Sequence, residues 1–409
     1  MTLAHPKHIE TAKRNQAHRE AGTVDQSPEV FRVPAWKYLD ETRWQQEMDA
    51  IFRRVPLMLA VGGELKNPGD YKAMMALDVP VLIVRGKDGA ARAFVNSCSH
   101  RGAIVVEEGH GNRNRFACPY HNWTYDNDGC LVGVTDRAAF GEIDVESMGL
   151  VPLPTAERAG LVFAILTPGV PIDIDGWLQG YDEVLEWFNF SDWHLITTTE
   201  VEGPNWKVAY DGYVDFYHLP FLHKNTFGPQ MFRTASYDFW GPHQRVSTPA
   251  LQSQATEGMA TRGDMPDLST LPIEEWPMDA LAGGIYAMFP NISFACGSTG
   301  GMISQLWPGP TPDRSRTIQY HFVSHEPTEE ERGMSMLSAA FLEGVVRDED
   351  YWMGKRVQTA LATGAREHVV FGKNEGGGRH YHGFVDRLID EAGNQAVDIR
   401  RGNLASAGD

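Results

Sequence analysis

The chain has 409 residues, 42% of them hydrophobic and 22% charged, a composition that is typical of globular proteins and excludes a disordered chain. Its net charge of −18, from 36 Lys and Arg against 54 Asp and Glu, disfavours nucleic acid as a partner. The length predicts two domains. No apolar run approaches a bilayer span, and residues 1–22 contain no apolar segment of the signal-peptide kind, so we expect a cytoplasmic protein without a membrane partner.

Residues 54–167 alternate short β-type runs with turn residues, which is typical of a small β domain. Two hairpins are predicted, with turns at residues 86–89 and 126–129. The apolar run at residues 161–166 predicts a buried strand that ends before Pro168.

The rest of the chain mixes helical and strand patterns. The predicted elements are a helix at residues 177–188, a strand from residue 198, sheet within residues 285–307 and 317–323, and a long helix from residue 328 to about residue 361. Thr328 and Glu331 form a capping box at the start of the long helix. The predicted fold class is α+β, with a β domain inserted into a larger α+β domain that has a central antiparallel sheet. The predicted domains are residues 54–167 and residues 168–409, with residues 1–53 as an arm of the larger domain.

The first candidate metal site joins two short motifs, Cys98-x-His100 and Cys118-x-x-His121. Only four cysteines occur in the chain, which argues against a disulfide scaffold. The order Cys, His, Cys, His suits a cluster in which one iron takes both sulfurs and the other takes both imidazoles. A structural zinc site usually groups Cys with Cys and His with His, but zinc, or two unrelated pairs, is the alternative interpretation.

The second candidate metal site begins with Asp215, His218 and His223. Asp215 and His218 are three residues apart and share a helical face. His218 and His223 are five apart, so they can share a metal only if the helix bends, and Pro220 can cause that bend. Core histidines without a metal are the alternative.

A carboxylate is expected as the third ligand, because two histidines and one carboxylate form the facial triad of non-haem iron oxygenases. Val346, Asp350, Met353, Val357 and Leu361 follow one predicted apolar stripe of the long helix. An unpaired carboxylate in such a stripe is costly, and a metal removes that cost. The stripe predicts Asp350 as the ligand, whereas the neighbouring Asp348 and Glu349 are expected to point elsewhere.

These motifs resemble those of the Rieske non-haem iron aromatic-ring-hydroxylating oxygenases, at the level of the terminal oxygenase alpha subunit. The motifs on which the resemblance rests are Cys-x-His-Arg-Gly at residues 98–102, Cys-x-x-His-x-Trp-x-Tyr at 118–125, Asp-x3-Asp-x2-His-x4-His at 211–223, and Glu-Asp-x7-Gln at 349–358. The resemblance covers roughly residues 40–385. The family more often has Asn where this chain has Asp211.

The resemblance implies Cys98 and Cys118 on one iron of a [2Fe–2S] cluster, with His100 and His121 on the other. It also implies that His218, His223 and Asp350 bind Fe(II). Asp215 then bridges the centres, accepting from His218 of its own chain and from His121 of the next subunit in a homotrimer.

The implied function is oxygenation of a small aromatic or apolar molecule with O2, using electrons from NAD(P)H through a ferredoxin and/or flavin reductase. Ring dihydroxylation and monooxygenation ending in N- or O-dealkylation use the same residues. The alternatives are a Rieske electron-transfer protein with a docking domain and a zinc-stabilised binding protein. Candidate pocket residues near the iron are Asp211, Phe216, Phe221, Phe227, Tyr286, Met288, Phe289, Phe294 and Trp307.

Charge is distributed unevenly along the chain. Residues 85–137 contain seven bases and six acids and carry +1, whereas the remainder carries −19. A docking surface for an acidic partner and chance clustering are equally compatible with this pattern. Cys130 and Cys296 are expected to be structural.

Overall fold

The structure is a computed structural model that describes residues 5–228, 235–248, 266 and 268–405, with side chains up to residue 393. The chain divides into two compact units. The first comprises the residues up to Arg53, Ile196–His321 and the residues from Thr328 onward, and the second comprises Arg54–Leu195 and Phe322–Pro327. None of the helices in the described ranges combines the length and apolar character that crossing a membrane requires.

Strands are numbered in chain order. They are β1 (Phe31–Pro34), β2 (Leu57–Val61), β3 (Asp70–Ala76), β4 (Val79–Arg85), β5 (Ala91–Val95), β6 (Gly109–Asn112), β7 (Arg115–Ala117), β8 (Thr124–Asp126), β9 (Leu131–Gly133), β10 (Pro152–Leu153), β11 (Thr155–Arg158), β12 (Leu161–Ala164), β13 (His194–Gly203), β14 (Ser236–Trp240), β15 (His243–Ser247), β16 (Ile285–Met288), β17 (Ile292–Gly297), β18 (Gly300–Pro308), β19 (Ser315–Val323) and β20 (His368–Phe371).

The α-helices are numbered in the same way. They are α1 (Pro6–Ala21), α2 (Glu41–Glu47), α3 (Arg137–Phe140), α4 (Ile174–Leu178), α5 (Tyr181–Leu185), α6 (Trp206–Val214), α7 (Leu219–Leu222), α8 (Met278–Leu281), α9 (Glu329–Val345), α10 (Tyr351–Leu361) and α11 (Gly376–Ala405). Turns of 3-10 helix lie at Ala35–Tyr38, Gly62–Glu64, Glu186–Phe188, Phe190–Asp192, Leu268–Thr270 and Ile273–Glu275, and π-helical turns lie at Met48–Phe52 and Val346–Asp350.

The second unit contains the predicted β domain. Its sheets have the strand orders β10-β5-β4-β3-β6, β11-β12-β2 and β7-β8-β9. Both predicted hairpins are confirmed, because β4 pairs antiparallel with β5 and β8 pairs with β9. Gly129 adopts a φ of 80° in the second turn, a conformation that favours glycine. The predicted buried strand is β12.

Residues 168–195 cluster with the second unit, although the sequence analysis placed them in the larger domain. The turn Phe190–Asp192, near the end of this segment, is bound to the second unit through Lys66, whose Nζ donates to the Asp192 carbonyl at 3.0 Å. The single helix predicted at residues 177–188 is wrong. It is divided because Gln179 (φ 51°) and Gly180 (φ 86°) adopt left-handed conformations between α4 and α5.

A seven-stranded sheet forms the centre of the first unit, in the order β13-β19-β18-β17-β16-β15-β14. The neighbouring strands from β14 to β18 pair antiparallel, as predicted for the central sheet. Helix α6 contacts β16 and β18, and α10 and α11 contact α6 in turn. The arm belongs to this unit, where β1 pairs with β20.

The predicted long helix is present, but the direction in which its side chains point changes in the middle. The capping box is confirmed: the Glu331 amide donates to Thr328 Oγ1 at 3.2 Å, and the Thr328 amide donates to Glu331 Oε2 at 2.9 Å. Between α9 and α10 the chain makes the π-helical turn Val346–Asp350. A π turn holds more residues than an α turn, so it rotates everything that follows.

Beyond the π turn the predicted apolar stripe is therefore wrong at Met353 and Val357, whereas Leu361 is buried as predicted. Met353 and Val357 are 37% and 38% exposed. The buried face of α10 consists of Tyr351, Gly354, Gln358 and Leu361. Asp350 lies at the junction of the two helices rather than within an apolar stripe.

Candidate metal centres

The two histidines of the second candidate site lie at the ends of a very short helix. Helix α6 ends at Val214, the chain leaves helical geometry at Asp215, and α7 begins after His218. His223 follows the last residue of α7. The expected bend of a continuous helix at Pro220 is wrong, because Pro220 occupies the first turn of a new helix, where no backbone N–H is needed.

His218, His223 and Asp350 converge on one point. One nitrogen from each imidazole and one Asp350 oxygen all lie within 4.8 Å of one another. Asp350 Oδ1 is 3.2 Å from His223 Nε2 and 3.5 Å from His218 Nε2. Two imidazoles and one carboxylate are the donor set of the facial triad, so these residues fit a mononuclear Fe(II).

The Nδ1 atom of each histidine, which faces away from Asp350, contacts a further carboxylate. His218 Nδ1 is 3.1 Å from Asp215 Oδ2, and His223 Nδ1 is 2.6 Å from Glu349 Oε2. Ionised carboxylates only accept hydrogen bonds, so each Nδ1 carries a proton and donates it. Both Nε2 atoms are thereby turned towards Asp350. Carboxylate–histidine pairs of this kind orient metal-binding imidazoles.

The electrostatics of the three residues favour a cation between them. Burial alone would lower the pKa of His218, but its hydrogen bonds to Asp215 and Asp350 raise it to about 9. The pKa of His223 is also raised, because its contacts with Asp350 and Glu349 outweigh burial. Burial would raise the pKa of Asp350, but the two histidines hold it below its usual value. A metal that binds to these histidines displaces the protons that their raised pKa values retain.

Glu349 is the site residue that the sequence analysis missed. It was expected to point away from the site, but it accepts from His223 and from Thr226 Oγ1, the latter at 3.0 Å. Asp348 does point away: its side chain is 64% exposed and pairs with Arg347 at 2.8 Å. The π turn lets the adjacent residues Glu349 and Asp350 both reach the histidines, which a regular helical phase does not predict.

The first candidate site consists of two turns of similar design in the second unit. The Cys98 amide donates to the Ala103 carbonyl, and the Cys118 amide donates to the Trp123 carbonyl, at 2.8 and 2.7 Å. Both thiols are 3% exposed. The rings of His100 and His121 have their centroids 4.6 Å apart. Each turn thus brings one sulfur and one imidazole to the same place.

The donor set and its surroundings fit a [2Fe–2S] cluster. His100 Nδ1 is buried without a hydrogen-bond partner, a cost that a bound iron removes. Burial, together with Cys98, raises the pKa of the Cys118 thiol, so a metal is needed to hold the thiolate. Tyr125 Oη donates to Cys98 Sγ at 3.2 Å, a contact that the sequence analysis did not identify.

The nine pocket candidates occupy four kinds of position. Phe227 stacks on His223 with centroids 4.7 Å apart, and Phe216 belongs to the same apolar cluster. Phe221 is 57% exposed. Asp211 is held by Tyr38 Oη and His382 Nε2, both at 2.9 Å. The remaining candidates are at most 2% exposed, within or beside strands β16, β17 and β18: Tyr286, Met288, Phe289, Phe294 and Trp307.

The chain matches two protein families. Residues 56–148 match the Rieske [2Fe-2S] domain, and residues 190–391 match the ring hydroxylating alpha subunit (catalytic domain). It is 32% identical over 203 residues to the anthranilate 1,2-dioxygenase large subunit of Burkholderia cepacia, covering 47% of this chain and 48% of that protein. It is 26% identical over 365 residues to the carnitine monooxygenase oxygenase subunit of Escherichia coli K12, covering 87% and 92%.

Solved structures show the same fold. The quaternary ammonium Rieske monooxygenase CntA in complex with L-carnitine has a TM-score of 0.72 at 23% identity, covering 88% of this chain and 97% of that chain. Naphthalene 1,2-dioxygenase from Rhodococcus sp. has a TM-score of 0.69 at 19% identity, covering 94% and 98%. The chain spans about half the length of the first curated relatives it matches. The resemblance seen in the sequence motifs is confirmed: the chain belongs to the Rieske non-haem iron ring-hydroxylating oxygenases and has both the [2Fe–2S] domain and the non-haem iron catalytic domain of their alpha subunits.

Proposed function

We propose that this chain is the terminal oxygenase of a multicomponent system that inserts oxygen from O2 into a small molecule. The convergence of His218, His223 and Asp350 in a chain that also has a Rieske domain carries the proposal. A Rieske electron-transfer protein with a docking domain has no use for such a second site. A zinc-stabilised binding protein leaves the Rieske [2Fe-2S] domain without a role.

We assign the two centres to the residues that fit them. His218, His223 and Asp350 hold Fe(II), and Cys98, His100, Cys118 and His121 hold the cluster. When bound, the cluster supplies single electrons, and the mononuclear iron supplies an open coordination side for O2.

The chain's own residues prepare the iron site. Asp215 and Glu349 hold the Nδ1 protons, so that both histidines offer Nε2 to the metal. Phe227 covers one face of His223, and Phe216 packs in the same cluster. These apolar side chains exclude water from the vicinity of His223, which protects a reactive centre.

The substrate is an aromatic or other apolar small molecule. The support is the apolar character of the side chains beside His223, since apolar pockets select apolar ligands. Aromatic rings also bind quaternary ammonium groups. The similarity to a carnitine monooxygenase subunit over 92% of that protein's length therefore makes such cations the second substrate class to test.

We also propose the partners and the assembly that the family resemblance implies. The electrons come from NAD(P)H through a ferredoxin and/or flavin reductase, and three copies form a homotrimer. In that trimer Asp215 accepts from His218 of its own chain and from His121 of the neighbouring subunit. None of the four cysteines forms a disulfide, which supports a reducing, cytoplasmic location.

Product identification tests the proposal. The purified protein, loaded with iron and reduced by a chemical donor or a reductase, is incubated with O2 and a panel of aromatic and quaternary ammonium compounds. We expect an oxygenated product from an aromatic member, carrying label from 18O2. Full iron loading with no oxygenated product from any member would contradict the proposed function, and product from the ammonium members alone would replace the substrate class.

A further inference from the structure

A cavity of about 460 Å³ lies in the first unit, and neither metal centre contributes a residue to its lining. Its walls come from residues 25–28 ahead of β1, from strand β14, and from the chain at the beginning of α11. Its volume is in the range of small-molecule sites, about 300–1,000 Å³.

The lining is basic although the protein is strongly acidic. Lys373, Arg379 and Arg387 line the cavity. Arg379 Nη2 is 3.5 Å from Glu29 Oε1, but the Glu29 side chain is 75% exposed, so water screens this pair. Within the described ranges, Lys373 and Arg387 form no ion pair. At least two cationic side chains of this cavity are therefore without a counter-ion among the residues that the structure describes.

Asp25 is the acidic residue of the lining, and it is already bound. Its Oδ1 is 2.9 Å from His18 Nε2, and its Oδ2 accepts from the Tyr237 amide at 2.9 Å. Arg14 Nε lies 3.4 Å from the same Oδ2. Asp25 therefore does not neutralise the basic side of the cavity.

Flat rings form another wall. The Phe239 ring stacks on the His380 ring with centroids 4.2 Å apart and planes at 29°. Phe384 lies 4.9 Å from His380, and the Arg387 guanidinium lies 4.4 Å above Phe384. Burial lowers the pKa of His380 to about 4, so its imidazole is neutral at neutral pH and adds to the apolar wall. Phe239 nevertheless remains 44% exposed, which leaves ring surface for a ligand.

We propose that this cavity binds a small organic anion with a flat apolar body, of which an aromatic carboxylate is the simplest example. The ring of the ligand packs on Phe239, where offset or edge-on stacking is favourable. Its carboxylate accepts charge-assisted hydrogen bonds from Arg379 and Arg387 at the rim. Apolar wall and cationic rim together select an anion that carries a ring over a neutral ring or a bare inorganic anion.

Tyr237 connects this cavity to the apolar cluster beside His223. Tyr237 lines the cavity and also packs in the apolar cluster that contains Phe216 and Phe227. Phe227 stacks on His223. A ligand against Tyr237 would thus contact a member of the cluster against which Phe227 packs, and neither metal centre lines its cavity.

Isothermal titration of the metal-loaded protein with benzoate tests the site. We expect saturable binding, weakened about tenfold by Arg387→Gln and by Arg379→Gln, because a charge-assisted hydrogen bond contributes about 1.5 kcal/mol. Arg356→Gln is the matched control, since Arg356 also lies over an aromatic ring, that of Trp352, but on the exposed side of α10. Toluene and inorganic phosphate are expected not to compete with benzoate.

A second variant separates this cavity from the metal site. Benzoate could also bind near the iron, so the titration is repeated with His223→Ala, which removes a proposed iron ligand. Unchanged benzoate affinity in His223→Ala, with weakened affinity in the two arginine variants, supports the cavity. Loss of binding in His223→Ala with no effect of either arginine variant would overturn it, as would absence of benzoate binding to the unaltered protein.

Discussion

Nδ1 of His223 lies 2.6 Å from Oε2 of Glu349, and Nε2 of the same imidazole lies 3.2 Å from Oδ1 of Asp350, the residue that follows Glu349. Two consecutive carboxylates of one π turn thus contact the two nitrogens of one histidine. One contact sets the orientation of the ring, and the other lies where we propose that the metal binds.

The first prediction concerns Glu349. Glu349→Gln should lower the affinity for mononuclear iron about 10- to 100-fold, because the outer hydrogen bond orients the imidazole and raises its basicity. Chelator competition with iron quantified by mass spectrometry measures this affinity. Asp348→Asn is the matched control, because its side chain is 64% exposed and pairs with Arg347. Equal iron affinity in both variants would refute a positioning role for Glu349.

The second prediction concerns the cluster ligands. Cys98→Ser and His121→Ala should each abolish the Rieske absorption and its electron paramagnetic resonance signal, because each removes one of four donors. The far-ultraviolet circular dichroism should change little. Cys130→Ser is the control, since Cys130 is an exposed thiol outside the site. A normal Rieske signal in both ligand variants would show that the assignment is wrong.

The third prediction separates the two centres. His223→Ala and Asp350→Ala should lose the mononuclear iron and product formation but keep the Rieske signal, because the two donor sets share no residue. His368→Ala provides the control, as His368 is exposed on strand β20. Iron and cluster content are measured in the same sample. Simultaneous loss of both centres would mean that the variants had damaged the fold instead.

The fourth prediction concerns Asp215, which contacts His218 Nδ1 at 3.1 Å. Asp215→Asn is nearly isosteric and leaves all proposed ligands in place, so it should retain both metal centres when iron is supplied in excess. The amide is neutral and cannot accept from two imidazoles as a carboxylate does, so electron delivery should slow about tenfold or more. Single-turnover reoxidation of the reduced cluster with substrate and O2 measures this step. Normal reoxidation with normal iron would remove the bridge, whereas loss of iron would show that Asp215 acts mainly by orienting His218, as Glu349 orients His223.

The fifth prediction concerns stability. Glu47 is fully buried and accepts from Lys207 Nζ, from Trp206 Nε1 at 2.9 Å and from Arg43 Nε at 3.2 Å. Glu47→Gln should lower the free energy of unfolding by about 3 kcal/mol, because it leaves buried cations uncompensated. Urea denaturation measures the change, and Glu41→Gln, an exposed residue at the start of α2, should have little effect. Equal midpoints would contradict this account.

The sequence determined those parts of each site that lie close together along the chain. Cys98 and His100, or Cys118 and His121, occupy one turn each, and local hydrogen bonds fix both turns. Glycine, hairpin and capping signals act over a few residues, which is why the β4–β5 and β8–β9 hairpins and the start of α9 were predicted correctly. Motifs this local identify the family without any knowledge of the tertiary structure.

The tertiary structure decided how distant segments meet. Glu349 reaches His223 across 126 residues of sequence, and a π turn that no regular periodicity encodes sets the direction of its side chain. The aromatic residues near the motifs were indistinguishable in sequence, but packing places Phe227 on His223 and leaves Phe294 in the sheet, fully buried. Local patterns specify turns and helix ends because those depend on neighbouring residues. The direction in which a side chain points depends on the elements that pack against it. Only the folded chain determines that direction.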